Sequence, residues 1–261
     1  MSFTAKDVQN LRQATGAGMM DAKRALEETG GDFDAAAKAL REKGLAKSVD
    51  RADRENTQGA VAVGRTDTAA AVVELKCETD FVAKSEQFLE VLDQLLEATL
   101  AGDSADAIKE KVDDLKVALK ENIDVGRVIR VDVAPGQAVD TYLHKQEGRG
   151  VNGVVVVLEG GDEALAHEVA VSAAFSKPKY LSRDQVPQAD ADAERDTLEG
   201  ITRAEGKPEQ AIAKIVEGRL NAWYKDQVLL EQPYAKDDKQ SITDLLGSAS
   251  IAQFAQVYIG S

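Results

Sequence analysis

The chain has 261 residues, 43% of them hydrophobic and 30% charged, which is typical of a folded protein with two or more domains and excludes a disordered chain. The formal net charge is −14, and all of it lies in residues 59–261, because residues 1–58 carry ten basic and ten acidic side chains. This charge argues against a body that grips a phosphate backbone, and no apolar run approaches the ~20 residues of a membrane span.

Residues 1–55 predict a three-helix unit with a linker. Thr4 and Asp7 have the spacing of a capping box at the start of the first helix, which stops at Gly16. A second helix follows, and Asp32 caps a third that Gly44 ends. Residues 45–57 are rich in charge and are interpreted as a linker that could continue a helix. Three short helices with small contact residues are marginal alone, which suits an appended recognition module.

Strands and helices alternate from residue 58 onward. The pattern predicts strands at 59–65, 69–76, 128–133, 139–145, 154–158 and 254–259, and helices at 85–100, 104–121, 162–175 and 241–246. Two further helical segments, broken at residues 206–208, predict a projecting hairpin because they contain few leucines and isoleucines.

The order hairpin, loop, helix occurs twice, at 59–100 and again at 139–176. We therefore predict an α+β fold: a three-helix bundle, then a core of two similar subdomains with antiparallel sheets. The predicted boundaries are 1–55 for the bundle, 56–140 and 141–261 for the two core subdomains, and about 183–228 for the hairpin.

Enzyme sites find little support. Gly148–Gly153 matches a dinucleotide-binding fingerprint in its letters, but it precedes a strand instead of following one, and we interpret it as a loop. His144 and His167 are the only imidazoles, and Cys77 is the only cysteine, so neither a metal cluster nor a disulfide is expected.

Residues 76–84 form the junction between a predicted strand and a predicted helix. Asp80 beside Phe81 at such a tip suits a wedge, a rigid apolar ring with a carboxylate next to it. The alternative is that Thr79 or Asp80 caps the helix and Phe81 folds back on the sheet. The corresponding loop of the second copy has no phenylalanine, which favours the wedge.

Two long motifs carry a family resemblance. Residues 11–26 (LRQATGAGMMDAKRAL) and residues 77–84 (CETDFVAK) resemble the two signatures of bacterial translation elongation factor Ts. Weaker matches follow in order at 121–123, 142–144 and 206–208, and the resemblance covers nearly the whole chain. Many members of that family continue past the last strand with another helical module, whereas this sequence stops at residue 261.

The resemblance implies a guanine nucleotide exchange factor for elongation factor Tu, not an enzyme, with no cofactor of its own. The first domain would resemble a ubiquitin-associated bundle and dock on the nucleotide-binding domain of the partner. By the matching motif, Arg12, Met19 and Met20 would make that contact.

The second motif implies the mechanism. Thr79, Asp80, Phe81 and Val82 would intrude beside the partner's magnesium and phosphate site, with Phe81 as the wedge between helices. The weaker motifs would place Ile123 and His144 on the core face that touches the partner, while the hairpin would reach a further part of the partner or a second copy of this chain.

The expected setting is cytoplasmic, because the N-terminus has no signal pattern, and neither nucleic acid nor a membrane is an expected partner. The competing hypothesis is an adaptor that uses residues 1–44 as a peptide- or ubiquitin-type binding module on an acidic scaffold. It predicts that Asp80 and Phe81 are dispensable.

Overall fold

The computed structural model describes residues 3–260; Met1, Ser2 and Ser261 lie outside the described range. Contacts divide the chain into two units. The first holds the described part of Met1–Val131 with Leu143–Gly153 and the chain from Val257 onward, and the second holds Asp132–Tyr142 and Val154–Gln256. The domain boundaries predicted at 55/56 and 140/141 stay predictions. None of the helices between residues 3 and 260 is both long enough and apolar enough to cross a membrane.

The secondary structure is mixed, which confirms the predicted α+β class. The helices are α1 (Ala5–Thr15), α2 (Met19–Glu28), α3 (Phe33–Val49), α4 (Asp80–Ala83), α5 (Glu86–Ala101), α6 (Lys109–Leu119), α7 (Glu163–Ser176), α8 (Gln188–Ala204), α9 (Glu209–Gln227) and α10 (Ile242–Leu246). The strands are β1 (Gln58–Arg65), β2 (Ala69–Cys77), β3 (Asp124–Asp132), β4 (Ala138–Gln146), β5 (Arg149–Glu159), β6 (Pro233–Tyr234), β7 (Asp237–Ser241) and β8 (Ser250–Tyr258).

The repeat predicted from the sequence is present in the sheets. One sheet has the order β1-β2-β3, and another has the order β4-β5-β8, so in each a hairpin is followed by helices and a third strand that pairs with the second. Strands β1 and β2 are antiparallel, with Gln58 opposite Cys77. A separate two-stranded sheet joins β6 and β7.

Each unit has its own hydrophobic core. In the first, β1 and β2 pack against α5 and α6 around the fully buried Phe88 and Leu95. In the second, β5 packs against α7 around Val156 and Val169, and α10 adds Ile242 to the same core. The first of these cores fixes the end of β2 and the start of α5, between which the candidate site lies.

The starts of α1 and α3 follow the sequence signals. Thr4 accepts a hydrogen bond from the Asp7 amide, and the Asp7 carboxylate accepts one from the Thr4 amide, which completes the predicted capping box. Gly16 ends α1 in the left-handed conformation, and the Asp32 side chain caps α3.

The prediction that Gly44 ends α3 is wrong. The helix continues through Gly44 to Val49, and therefore takes up part of the segment interpreted as a linker. A Cβ atom at Gly44 would lie 2.4 Å from Cγ1 of Val117 on α6. The glycine thus serves a close approach of α3 to α6 and not a helix end.

The glycine-rich segment at residues 148–153 is also not the loop that the sequence predicted. Strand β5 begins at Arg149, after a two-residue turn in which Glu147 and Gly148 both have positive φ angles, as in a type I′ hairpin turn. A Cβ atom at Gly153 would lie 2.6 Å from Val63 Cγ1. Gly148 therefore serves the turn, and Gly153 serves a close packing of the first part of β5 against β1.

The predicted helical hairpin consists of α8 and α9. Pro208 precedes the first turn of α9, and the helices join at residues 205–208. At the base of the hairpin, Trp223 and Tyr224 pack edge to face and contact a small cluster that includes Val186 and Val228.

Candidate functional site

The candidate site is a short loop at the end of β2, residues Cys77–Lys84, here called the Phe81 loop. It contains the single turn α4, whose N-terminus is capped by the Thr79 hydroxyl through a hydrogen bond from the Val82 amide. Val82 and Ala83 pack toward the core, whereas the Phe81 side chain is 80% exposed. The alternative prediction was therefore right about the cap and wrong about Phe81, which does not fold back on the sheet.

Glu121, two residues after the end of α6, braces the Phe81 loop through hydrogen bonds. Its Oε2 atom accepts hydrogen bonds from the backbone amides of Glu78 at 3.0 Å and Thr79 at 3.1 Å. Its Oε1 atom accepts a third from the Thr79 hydroxyl at 2.6 Å. Three bonds to one carboxylate satisfy donors that neither β2 nor α4 can pair, so the loop has a defined position.

A second set of hydrogen bonds joins the same loop to Asn122 and, through it, to residues 52–54. The Glu78 carboxylate accepts from the Asn122 amide at 2.6 Å, and Arg54 lies 3.5 Å from the other carboxylate oxygen. The buried Asn122 side chain donates to the carbonyl oxygens of Ala52 and Arg54. Residues 52–54, the loop and the start of β3 are thereby tied together.

Lys84 controls the charge around the exposed ring. Its ammonium group lies 2.6 Å from Asp80 Oδ2, 2.8 Å from Glu147 Oε2 and 5.6 Å from the centroid of the Phe81 ring. The hydrogen bond from Lys84 lowers the pKa of Asp80, and the bonds to Asp80 and Glu147 raise the pKa of Lys84. Asp80 is therefore ionised and Lys84 protonated at neutral pH.

Cys77, directly before the loop, is a core thiol. It is fully buried, and its Sγ atom donates to the carbonyl oxygen of Thr79 at 3.2 Å. Burial, with a smaller contribution from the Glu121 charge, raises the pKa of Cys77 to about 12. A thiol in this state is not a nucleophile at neutral pH.

Four of the residues expected to dock on a partner have exposed side chains. Arg12, Met19 and Met20 are exposed at the end of α1 and the start of α2, and His144 is exposed on β4. Met19 and Met20 are 49% and 67% exposed, which is unusual for such large apolar side chains.

Ile123 does not fit the expectation of a partner-facing side chain. It is fully buried among the side chains of the first unit's core. Since its side chain has no exposed surface, the expectation that it touches a partner is not met in this structure, and Ile123 packs in the same core as Cys77 and Ala83 of the Phe81 loop.

The sequence analysis did not assign Glu121, Lys84 or Glu147 to the site. Lys84 could have been found, because it follows Asp80 by four residues, the spacing of an ion pair on one helical face. Glu121 and Glu147 reach the loop from 42 and 63 residues further along the chain, and no local pattern signals such contacts.

The arrangement is that of a contact surface. Among residues 3–260, no group of three or more histidine, cysteine or acidic side chains is placed to hold a metal ion. An exposed aromatic ring on a braced loop resembles the anchor residues of protein–protein interfaces. The class of protein that the site defines is therefore one that acts on a macromolecular partner.

Comparison with known proteins gives the family. The family described as "Elongation factor TS" matches residues 78–261. Proteins named "Elongation factor Ts" from Kineococcus radiotolerans and Thermobifida fusca are 40% and 39% identical to this chain, and the alignments cover at least 99% of this chain and of each relative. The relative from Mycobacterium tuberculosis is 41% identical over 99% of this chain and 98% of its own. The chain belongs to the elongation factor Ts family.

Family membership confirms the resemblance found in the two sequence motifs. It implies an exchange factor of translation elongation that acts on elongation factor Tu. It does not by itself assign a role to any residue of the Phe81 loop.

Proposed function

We propose that this protein binds the GDP complex of elongation factor Tu and accelerates GDP release by inserting the Phe81 loop beside the magnesium and phosphate site. The single observation that carries the proposal is the 80% exposure of Phe81 on a loop that Glu121 holds in place. The fold keeps this apolar ring exposed to water, and burial against a partner would remove that apolar surface from water.

The bracing of the loop supports a wedge. A mobile loop would lose conformational freedom on insertion, and that loss would oppose binding. Here the hydrogen bonds of Thr79 to Glu121 already fix the backbone in the free protein. More of the binding free energy is then available to disturb the partner.

The chemistry of the target supports the same mechanism. In a GTPase, nucleotide affinity rests on a magnesium ion and on backbone amides around the phosphates. Phe81 would separate partner helices, and Asp80 would bring a negative charge toward the site of the magnesium ion. Accelerating release a few thousandfold requires roughly 4–5 kcal/mol of differential stabilisation, within the range of one buried aromatic anchor plus a docked interface.

Docking is assigned to separate residues. Arg12, Met19 and Met20 would bind the nucleotide-binding domain of the partner, and His144 would add a contact from β4. The hairpin of α8 and α9, which exposes Ile201, would supply a further contact to the partner or to a second copy of this chain. If this protein lowers the affinity of elongation factor Tu for nucleotide by a given factor, linkage requires that bound nucleotide lowers the affinity of elongation factor Tu for this protein by the same factor.

The test is stopped-flow release of a fluorescent GDP analogue from elongation factor Tu over a series of concentrations of this protein. We expect release to accelerate and to saturate. In a Met20→Ala variant, half-saturation shifts to higher concentration while the limiting rate is kept, because docking and displacement are separate. If the parent protein binds the partner without accelerating release, the exchange function is excluded and the adaptor hypothesis is favoured.

A further inference from the structure

A cavity of about 240 Å³ lies in the first unit, between the three-helix bundle and the end of α6. One wall is formed by residues 15–18 between α1 and α2, and the others come from Asp21 of α2, from α3, from Arg51 and from the end of α6 with Lys120. At ~30 Å³ per water molecule, the volume equals about eight waters. The cavity is thus large enough for a small ligand and is separate from the Phe81 loop in sequence.

Four cationic side chains line this cavity, against one acidic side chain. They are Lys43, Lys47, Arg51 and Lys120, and the acid is Asp21. Only Lys43 is paired, at 3.6 Å from Asp21, whereas no carboxylate of residues 3–260 forms an ion pair with any of the other three cations.

This excess of positive charge stands in a chain whose net charge is −14. Unpaired cations around a concave site attract anions and raise their local concentration.

Two further sets of donors border the same cavity. Gly18 is the N-cap of the ten-residue helix α2 and has no side chain to cap it, so the first amides of α2 are without a side-chain acceptor. The Nε atom of Arg51 is buried and has no hydrogen-bond partner, although another nitrogen of its guanidinium donates to the Lys116 carbonyl oxygen. A buried donor without an acceptor is costly, and a bound anion would supply acceptors here.

We propose that this cavity binds a small phosphate-bearing anion through Lys47, Arg51, Lys120 and the N-terminus of α2. The two lysines would supply charge, the guanidinium directed donors, and the helix its first amides and its positive dipole end. Because Met19 and Met20 are the first residues of the same helix, the anion would also fix the surface assigned to docking. The site itself does not depend on the proposed exchange function, since this chain alone contains it.

The probe is inorganic diphosphate, titrated into the full chain by isothermal calorimetry at low ionic strength. We expect one saturable site. Lys47→Gln and Lys120→Gln should each weaken binding roughly tenfold, the effect of losing one hydrogen bond between charged groups. Lys38→Gln is the matched control, because Lys38 lies exposed on the same helix α3 and does not line the cavity.

The location is tested without any variant by amide NMR of the parent protein. Saturable shifts of the Gly18 and Met19 amides with diphosphate would support the site, and competition by GDP would show that a nucleotide can supply the same group. The proposal is overturned if diphosphate shows no saturable binding, if the three lysine variants bind it equally, or if the shifts occur elsewhere. Binding of GDP without binding of diphosphate would also overturn it, because the base and not the phosphates would then carry recognition.

Discussion

The Thr79 hydroxyl donates to Oε1 of Glu121 at 2.6 Å, which joins the Phe81 loop to a residue 42 positions away. The same carboxylate accepts from the Thr79 amide at 3.1 Å, so both donors of one residue end on one side chain. Thr79 in turn caps the turn that carries Phe81. The position of the exposed ring is therefore set by a residue that never approaches it in sequence.

Replacing Glu121 should loosen this arrangement. In Glu121→Gln, one oxygen can still accept from the Thr79 hydroxyl, but an amide nitrogen replaces the oxygen that accepts from two backbone amides. We expect the free energy of unfolding to fall by about 1–3 kcal/mol, the cost of leaving such donors unpaired. Urea unfolding measures it, with Glu55→Gln as the control, since Glu55 is exposed and outside the network. Equal stability of the two variants would contradict the brace.

Gly44 should be intolerant of a methyl group although it lies inside a helix. Alanine is favoured over glycine in helices by about 1 kcal/mol. At Gly44 the new Cβ atom would meet Val117 Cγ1 at 2.4 Å, and valine has little rotamer freedom. We expect Gly44→Ala to destabilise the protein by about 1–3 kcal/mol. Thermal unfolding with calorimetry provides the measurement.

The matched control is Gly218→Ala in α9. No atom lies within 4 Å of a Cβ placed there, so the same substitution should stabilise the protein by roughly 0.5–1 kcal/mol. Combining Gly44→Ala with Val117→Ala should recover part of the loss, because the second change removes the clashing methyl groups. The close approach of α3 to α6 would be contradicted if Gly44→Ala and Gly218→Ala changed the stability in the same direction. It would also be contradicted if adding Val117→Ala to Gly44→Ala restored no stability.

Local signals in the sequence predicted most elements and missed what depends on distant neighbours. The capping box of Thr4 and the cap at Asp32 needed only residues three positions apart, and both are present. Gly44 and Gly153 were misread as breaks because the reason for each glycine is a valine on another element. The burial of Ile123 and the brace at Glu121 likewise depend on how the segment between α6 and β3 approaches the loop.

Cys77 should resist modification in the folded protein. Because its pKa is raised from 9.0 to about 12, the thiol is protonated at pH 8 and is also shielded from reagents. We expect a maleimide to react slowly with the native chain and fast in urea. Because the pKa of Cys77 is higher in the folded protein, the free energy of unfolding should fall as the pH rises above about 9, where Cys77 ionises only in the unfolded chain. Cys77→Ala should reduce that slope; an unchanged slope would contradict the raised pKa.

The Asp80 carboxylate should report on Lys84. The hydrogen bond from Lys84 lowers the pKa of Asp80, so Lys84→Met should raise it toward the ordinary range. Carbon-13 NMR of the carboxyl group across acid pH gives the value. In the parent protein, the stability from this pair is present above the ordinary aspartate range and is lost as the pH falls through the lowered pKa. Lys38→Met should leave the titration of Asp80 unchanged, and a shift in that variant too would argue against a specific pair.

The most direct test of the central claim compares Phe81→Ala with Phe175→Ala in GDP release from elongation factor Tu. Both phenylalanines are 80% exposed, so the two variants remove the same apolar area from water, but only Phe81 lies on the braced loop. Each variant is first shown to bind the partner. We predict that Phe81→Ala lowers the limiting release rate by roughly tenfold or more, whereas Phe175→Ala keeps the parent rate. A Phe81→Ala variant that binds and releases GDP as fast as the parent would contradict the wedge.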